Sequence, residues 1–333
     1  MSHQGVTAVG LDIGCYSVKC VELSRSKDSI LLHRVTILPV SDSSPPNFAK
    51  VLGVLFNPTT PPPKHLRISV KGPSLLMRRL ELPLMTPTEL KGAIRFEAEG
   101  QIPFSIEDCV LDFQILNQRP QENKMNVLLV AAKKDFIQRR LDMLTGLGMK
   151  PEVIDVDIFC LVNAFEVLSG HEGDKTYGLL NIGHQVSSFA IIHEGVPFFV
   201  REIPYGGFHV TKALAELKGI SETHADQMKI AAAREDAAAI GSATEKGFES
   251  LVEELKHSID FFENDMGEEL KFIWTSGGGA LATGAADFFS KTLEKQVSLW
   301  DNTKKMDGFG DIDVSFLRNH SHELNVALGM VLR

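Results

Sequence analysis

The chain has 333 residues, 44% hydrophobic and 23% charged, an ordinary balance for a globular protein and a length that predicts two domains rather than one simple core. With 34 Lys and Arg against 43 Asp and Glu the net charge is −9, which excludes wide nucleic-acid binding through a basic face while leaving room for a local basic pocket. No apolar run approaches the roughly 18 residues of a membrane helix, and the N-terminal MSHQGVTAVG lacks the basic region and apolar core of a signal peptide. The cysteines (Cys15, Cys20, Cys109, Cys160) are scattered, so they predict reduced thiols in a cytosolic protein, with neither a disulfide frame nor a zinc site.

In chain order, residues 6–38 predict three strands, at 7–12, 17–24 and 30–38. The loop SDSSPPNF (41–48), a short helix near 47–56, the proline-stiffened loop 57–64 and a strand near 66–71 follow. Residues 78–82 alternate as a strand, and Pro83 stops it. Thr86 is an N-cap with Glu89 three residues on, and Pro87 suits the first helical position, so a helix runs to about Glu99 and ends near Gly100. Strands at 109–116 and 126–132 and a helix at 135–147 complete a small α+β unit over 78–147. A strand at 152–157, a helix at 158–169 and a linker at 171–175 lead to the second half.

The second half repeats the first. Residues 178–192 (GLLNIGHQVSSFAII) match residues 9–23 (VGLDIGCYSVKCVEL) as strand, Ile-Gly turn, strand, with Asp12 aligned on Asn181 and Gly14 on Gly183. A third strand at 197–204, Gly206-Gly207 and a helix to about Lys218 come next. Residues 224–265 read as helical but broken near Gly241. Strand 272–276 runs into Gly277-Gly278-Gly279 and a helix at about 280–290, and a short helix from about Glu323 to Met330 closes the chain. Two runs of three strands and a helix suggest a duplicated α/β domain.

Three glycine turns (12–19, 181–188 and 276–280), each after a predicted strand, carry the chemistry. Glycine lets backbone N–H groups approach an anion closely, so two facing hairpins could hold a polyphosphate between two lobes. The lone H-S-H at His320 and His322 reads as a surface turn rather than a metal site. Asp155 and Asp157 share one face of their strand, either as a solvated strand-end pair or with one of them behind a bound Mg2+.

The order of two phosphate hairpins and then a strand–GGG–helix loop resembles the actin, sugar-kinase and heat-shock chaperone superfamily. More closely, RRLELPLMTPTELKGAIRFEAEGQIPFSIEDCVLDFQIL (78–116), VLLVAAKKD (127–135), LTGLGMKPEVIDVD (144–157), VPFFVREIPYGGFHVTKAL (196–214), WTSGGGAL (274–281) and ELNVALGMVLR (323–333) resemble the PilM family of type IV pilus assembly proteins. The resemblance runs nearly end to end. It implies a duplicated actin-like α/β fold with an inserted subdomain. The first lobe would be 1–77 and 148–172, the insert 78–147, and the second lobe 173–333, with a helical subdomain at about 220–270.

The resemblance also implies an ATP-binding scaffold at the cytoplasmic side of the inner membrane. It would dock the N-terminal tail of a PilN-like bitopic protein beside the small subdomain, with pilus motor ATPases among further partners and a ring or homo-oligomer left open. Ile68, Val70, Leu90 and Ile94 are candidates for the groove wall, with core burial the competing reading. An FtsA-like filament protein would carry a C-terminal amphipathic helix, whereas this chain ends at Arg333, so membrane contact is expected only through the partner. A related alternative is the L component of type II secretion, with real hydrolysis, but its membrane span is not found.

By the same resemblance Asp12 holds Mg2+ through water, and Gly14, Cys15, Tyr16 and Ser17 offer donors to phosphate. Lys19 adds positive charge there, or is an exposed strand lysine. Gly183, His184 and Gln185 form the second cradle, and Gly206 and Gly207 aim a helix N-terminus at the nucleotide. Asp226 and Lys229 match the pair that touches ribose and adenine, or form a solvated helix pair. Gly277, Gly278, Gly279 and Ala280 line the adenosine. Tyr16 is bulky for its place, and Asn181 stands where hydrolysing relatives carry Asp, so ATP binding with weak or absent hydrolysis is expected.

Overall fold

A computed structural model describes residues 6–26, 29–41, 44–56, 62–169, 175–230, 236–303, 306, 308–310 and 312–333. Residues 171–174 of the linker and parts of the loops at 41–48 and 57–64 lie outside the described residues.

Two five-stranded sheets share one topology. In the first, β1 (Val6–Ile13) pairs antiparallel with β2 (Ser17–Arg25), β2 with β3 (Ile30–Pro39), and β1 parallel with β4 (Leu66–Val70), which is parallel to β8 (Val153–Val156). In the second, β9 (Thr176–Ile182), β10 (Ser187–His193), β11 (Val196–Ile203), β12 (Phe272–Ser276) and β13 (Gln296–Leu299) repeat that order and those directions. The duplication read from the two hairpins is therefore a duplication of the sheets themselves.

Strand alternation sends side chains to two different cores. On β1, Val9, Leu11 and Ile13 face α1 (Pro45–Leu55) and α3 (Lys134–Thr145), while Ala8 faces the centre of the molecule. On β9, Leu180 and Ile182 face α5 (Gly207–Lys218), α7 (Ala237–Met266) and α8 (Ala285–Leu293), while Tyr177 and Leu179 face the centre. That centre is filled by α4 (Asp157–Leu168) and α10 (Asn325–Leu332), and both sheets contribute to one core around them. A helix between two sheets is apolar wherever it meets them. All eight residues of α10 are buried, as are Ile158, Leu161, Phe165 and Leu168 of α4. Burying Phe165 completely contributes about 1.5–3 kcal/mol.

Close approach depends on two glycines. A Cβ on Gly329 of α10 would lie 1.7 Å from the Cys160 carbonyl oxygen of α4, and one on Gly10 of β1 would lie 2.2 Å from the Ala327 carbonyl oxygen. The last helix of the chain is thereby seated on the first sheet.

The insert builds a three-stranded sheet in the order β5 (Leu75–Pro83), β7 (Lys124–Lys133), β6 (Cys109–Arg119), packed against α2 (Pro87–Glu99). Thr86 caps α2 as expected: its Oγ1 accepts from the Glu89 N–H at 3.3 Å, and the Glu89 carboxylate accepts from the Thr86 N–H at 2.8 Å. Two expectations fail. Helix α7 runs unbroken through Gly241, which faces open space, because the roughly 1 kcal/mol cost of glycine is outweighed by the packing of this 30-residue helix. Asp157 is the first residue of α4 and not a strand residue, so it does not share a strand face with Asp155. Between α5 and α7, α6 (Glu222–Met228) carries Asp226; α9 (Val314–His320) precedes α10.

Candidate functional site: a cleft between two hairpins

The two glycine hairpins have matching turns. The Gly14 N–H donates to the Ser17 carbonyl at 3.2 Å, and the Gly183 N–H donates to the Val186 carbonyl at 3.2 Å. A Cβ at Gly14 would sit 2.9 Å from the Ser17 oxygen, and one at Gly183 would sit 2.5 Å from the Val186 oxygen, so both cradles need glycine. The hairpin tips meet across the cleft. The Tyr16 ring lies on the His184 ring at 4.9 Å, and the Tyr16 hydroxyl donates to Asp226 Oδ2 at 2.7 Å. That bond, with burial, pushes the Tyr16 pKa up to about 12, so the hydroxyl stays a donor. Burial and the nearby Lys229 charge push the His184 imidazole down, towards the neutral form.

The third loop is locked in place. Gly277 has φ +87, and a Cβ there would lie 2.4 Å from the Ile182 carbonyl oxygen and 2.5 Å from Asn181 Oδ1. Its N–H donates to the His322 carbonyl at 2.8 Å, and the Ser276 hydroxyl donates to the same oxygen at 3.0 Å. His322 is buried, so the H-S-H segment is an anchor for the glycine loop and not a surface turn. Helix α5 starts at the cleft, but its first donors are taken: Gly207 N–H binds the Gly183 carbonyl at 2.9 Å and Phe208 N–H the His184 carbonyl at 2.7 Å. What remains there for an anion is the helix dipole and the close backbone.

Charges line the floor. Asp12 sits opposite Lys19 in the β1–β2 register, with Lys19 Nζ 3.1 Å from its Oδ2. Burial alone would push the Asp12 carboxyl up, but Lys19, Lys71 and Arg140 outweigh it and hold it below the ordinary carboxylate value. Lys71, just past β4, lies 2.6 Å from Asp157 Oδ2. Burial opposes its charge, yet Asp157, Asp12 and Glu202 raise its pKa, so it is cationic. Glu202 of β11 accepts from the Gly72 N–H across the lobes; burial and the Asp157 charge push its pKa up to about 8, so it is mostly protonated at pH 7. Burial would raise Glu323 as well, but His322, His320 and Lys19 bring it down to about 2, and it is ionised. Asp155 and Asp157 are both buried and paired with different cations, Arg333 at 2.8 Å and Lys71, so neither is a solvated strand end.

The cleft is open to solvent, with about 690 Å3 of space between the two hairpins and the glycine loop. Of the residues expected from the sequence, Asp12, Tyr16, Ser17, Lys19, Asn181, Gly183, His184, Gly207, Asp226, Lys229 and Gly277 to Gly279 line it together. Gly14 and Gly206 shape the turns behind it, Ala280 packs into the second core, Cys15 is half-buried in the first turn, and Gln185 is exposed. Lys229 is buried, with Nζ 2.8 Å from Thr211 Oγ1 and paired to Asp226, so this is no solvated helix pair. Sequence reasoning missed Lys71 and Glu323. The signal for Lys71 was the Lys-Gly pair ending the apolar strand LRISV.

A second, larger cavity of about 1490 Å3 opens between the insert and the first sheet, lined by Val110 and Phe113 of β6, Val130 of β7, Val70, Phe159 and Arg333 among others. Of the four expected wall residues only Val70 lines it; Ile68, Leu90 and Ile94 are buried in cores.

Two sheets of one topology, a central helix pair and a cleft between paired glycine hairpins define a protein of the actin-like fold with an inserted α+β subdomain. The type IV pilus assembly protein PilM family matches residues 10–333, and the chain belongs to that family. Among solved structures, a PilM-PilN type IV pilus biogenesis complex matches at a TM-score of 0.84 and 25% identity, covering 98% of each chain. The ethanolamine utilization protein EutJ from Carboxydothermus hydrogenoformans matches at 0.52 and 14%, covering 98% of this chain and 89% of its own, a likeness of fold alone. Among the described residues, no helix is long and apolar enough to cross a membrane.

Proposed function

We propose that this chain is an ATP-binding scaffold of a type IV pilus inner-membrane assembly complex, which docks the N-terminal tail of a PilN-like membrane protein. The observation that carries the reading is a pair of cavities that adjoin the end of β4. The glycine-lined cleft holds three lysines, Lys19, Lys71 and Lys229, and Val70, the residue before Lys71, lines the second, largely apolar cavity. Similarity to a PilM-PilN complex over nearly the whole chain supports the partner.

The cleft fits a nucleotide. Gly14, Gly183, Gly207, Gly277 and Gly279 leave no room for a Cβ, and the cations of the cleft suit phosphate. Bound ATP would supply polyphosphate charge and a ligand that bridges the two lobes. Lys19 would meet phosphate, Asp226 and Lys229 would meet ribose and adenine, and the Gly277–Gly279 backbone would lie along the adenosine. Among the described residues no group of three or more His, Cys, Asp or Glu could hold a metal ion, so Mg2+ would ride mainly on phosphate and water, steadied by the ionised Asp12.

Asn181, at the end of β9 where Asp12 stands on β1, brings an amide to the cleft. It carries no negative charge for a metal and is no base for water. ATP then serves as a conformational ligand, acting through different affinity for open and closed lobes. A steady-state phosphate-release assay tests this. Release at less than about one turnover per minute fits a scaffold, and turnover near the usual 1–100 per second of working phosphoryl-transfer enzymes contradicts it.

A further inference from the structure

The charges at the C-terminal edge of the first sheet alternate in strand order: Lys19 on β2, Asp12 on β1, Lys71 after β4, Asp157 after β8. Lys19 and Asp12 satisfy each other directly. Lys71 is different. It lines the cleft with 23% of its side chain exposed, while its partner Asp157 is 2% exposed. The cation is therefore accessible and its counter-ion is not.

Its place along the cleft follows from the second sheet. The Gly277–Gly279 loop follows β12, on one side of β9, whereas Glu202 lies on β11, beyond β10 on the other side. The Gly72 N–H donates to Glu202, which puts Lys71 on the far side of the two hairpins from the third glycine loop. A nucleotide with its adenosine at the third loop and its phosphates along the glycine turns of the two hairpins ends at Lys71.

We infer that Lys71 is the cation that recognises the terminal phosphate of a bound nucleoside triphosphate, and that Asp157 holds it in place until that phosphate takes it. This rests on the nucleotide reading of the cleft. A diphosphate would stop short of Lys71 and leave the Lys71–Asp157 pair intact. Lys71 is a discriminating residue, then, more than a source of general affinity.

The test is calorimetric titration of the full chain, at fixed Mg2+, with ADP and with a non-hydrolysable ATP analogue. Lys71→Met alone would leave Asp157 as an unpaired buried charge, so the informative variant is Lys71→Met with Asp157→Asn, its melting temperature measured alongside. Wild type should bind the triphosphate at least about tenfold tighter than ADP. The double variant should lose that margin while its ADP affinity stays within about twofold. Lys71→Arg should keep the margin, and Asp157→Asn alone should widen it. A double variant that keeps the margin, or loses both ligands equally, overturns the role of Lys71. Wild type binding neither ligand overturns the nucleotide reading itself and this inference with it.

Discussion

Tyr16 and Asp226, 210 residues apart, are joined at 2.7 Å across the cleft, so the first hairpin is fastened to helix α6. The same carboxylate pairs with Lys229 and accepts from Thr211 Oγ1 at 2.9 Å. Ribose can take Asp226 only by displacing one of these partners, and Tyr16 is the one from the opposite lobe. Tyr16→Phe should therefore raise nucleotide affinity. The ring is about half exposed, so the bond is worth about 0.5–1.5 kcal/mol and the gain is about two- to tenfold. Titration with a fluorescent nucleotide checks this; weaker binding would show that Tyr16 holds the nucleotide and not the empty cleft.

Lys19 carries the opposite expectation. Its Nζ stands in the first cradle beside Asp12, and no second lysine shares that turn. Lys19→Ala should weaken nucleotide binding by about 10- to 100-fold, the worth of one charge-assisted contact of about 1.5–3 kcal/mol. An unchanged dissociation constant would return Lys19 to a structural strand residue.

Glu202 gives the fold a pH dependence. Its pKa is about 8 when folded and ordinary when unfolded, so between those values the folded state binds the extra proton. Stability then falls as pH rises from about 4.5 towards 8. Glu202→Gln removes the loss: at pH 8.5 its melting temperature should exceed that of wild type, by about 1–3 kcal/mol of stability, and at pH 5 the two should nearly coincide. Parallel melting curves for the two proteins across pH 5–8.5 would contradict the assignment.

Gly329 tests the central helix pair. With a Cβ position only 1.7 Å from the Cys160 oxygen, Gly329→Ala must push α10 away from α4. The expected loss is at least about 3 kcal/mol, read as a large fall in melting temperature or in folded yield. Gly241→Ala, facing open space in α7, should instead stabilise by up to about 1 kcal/mol.

Local features were readable in the residues. The Thr86–Glu89 cap, the two hairpins and the glycine loop all follow from short-range spacing. What could not be read is held by long-range contact. Lys71 has an ordinary look in sequence, and its partner Asp157 lies 86 positions away. His322 is polar and sits in a short H-S-H segment, and its burial follows from a distant contact, its carbonyl holding the Gly277 N–H. The seat of α10 on β1 depends on Gly329 and Gly10, which read locally as weak helix and strand residues. The strand pattern of EVIDVD extends one residue too far at Asp157, because β8 passes directly into α4 with no loop between them.

The scaffold reading is tested most directly by calorimetric titration of the full chain with a peptide from the N-terminal tail of a PilN-like protein. Two variants go beside wild type: Val110→Asp, which puts a charge on a half-exposed wall residue of the apolar cavity, and Lys246→Ala, a surface change remote from it. The account predicts binding between nanomolar and micromolar, weakened at least about tenfold by Val110→Asp and unaltered by Lys246→Ala. Absence of binding to wild type, or binding indifferent to Val110→Asp, would contradict it.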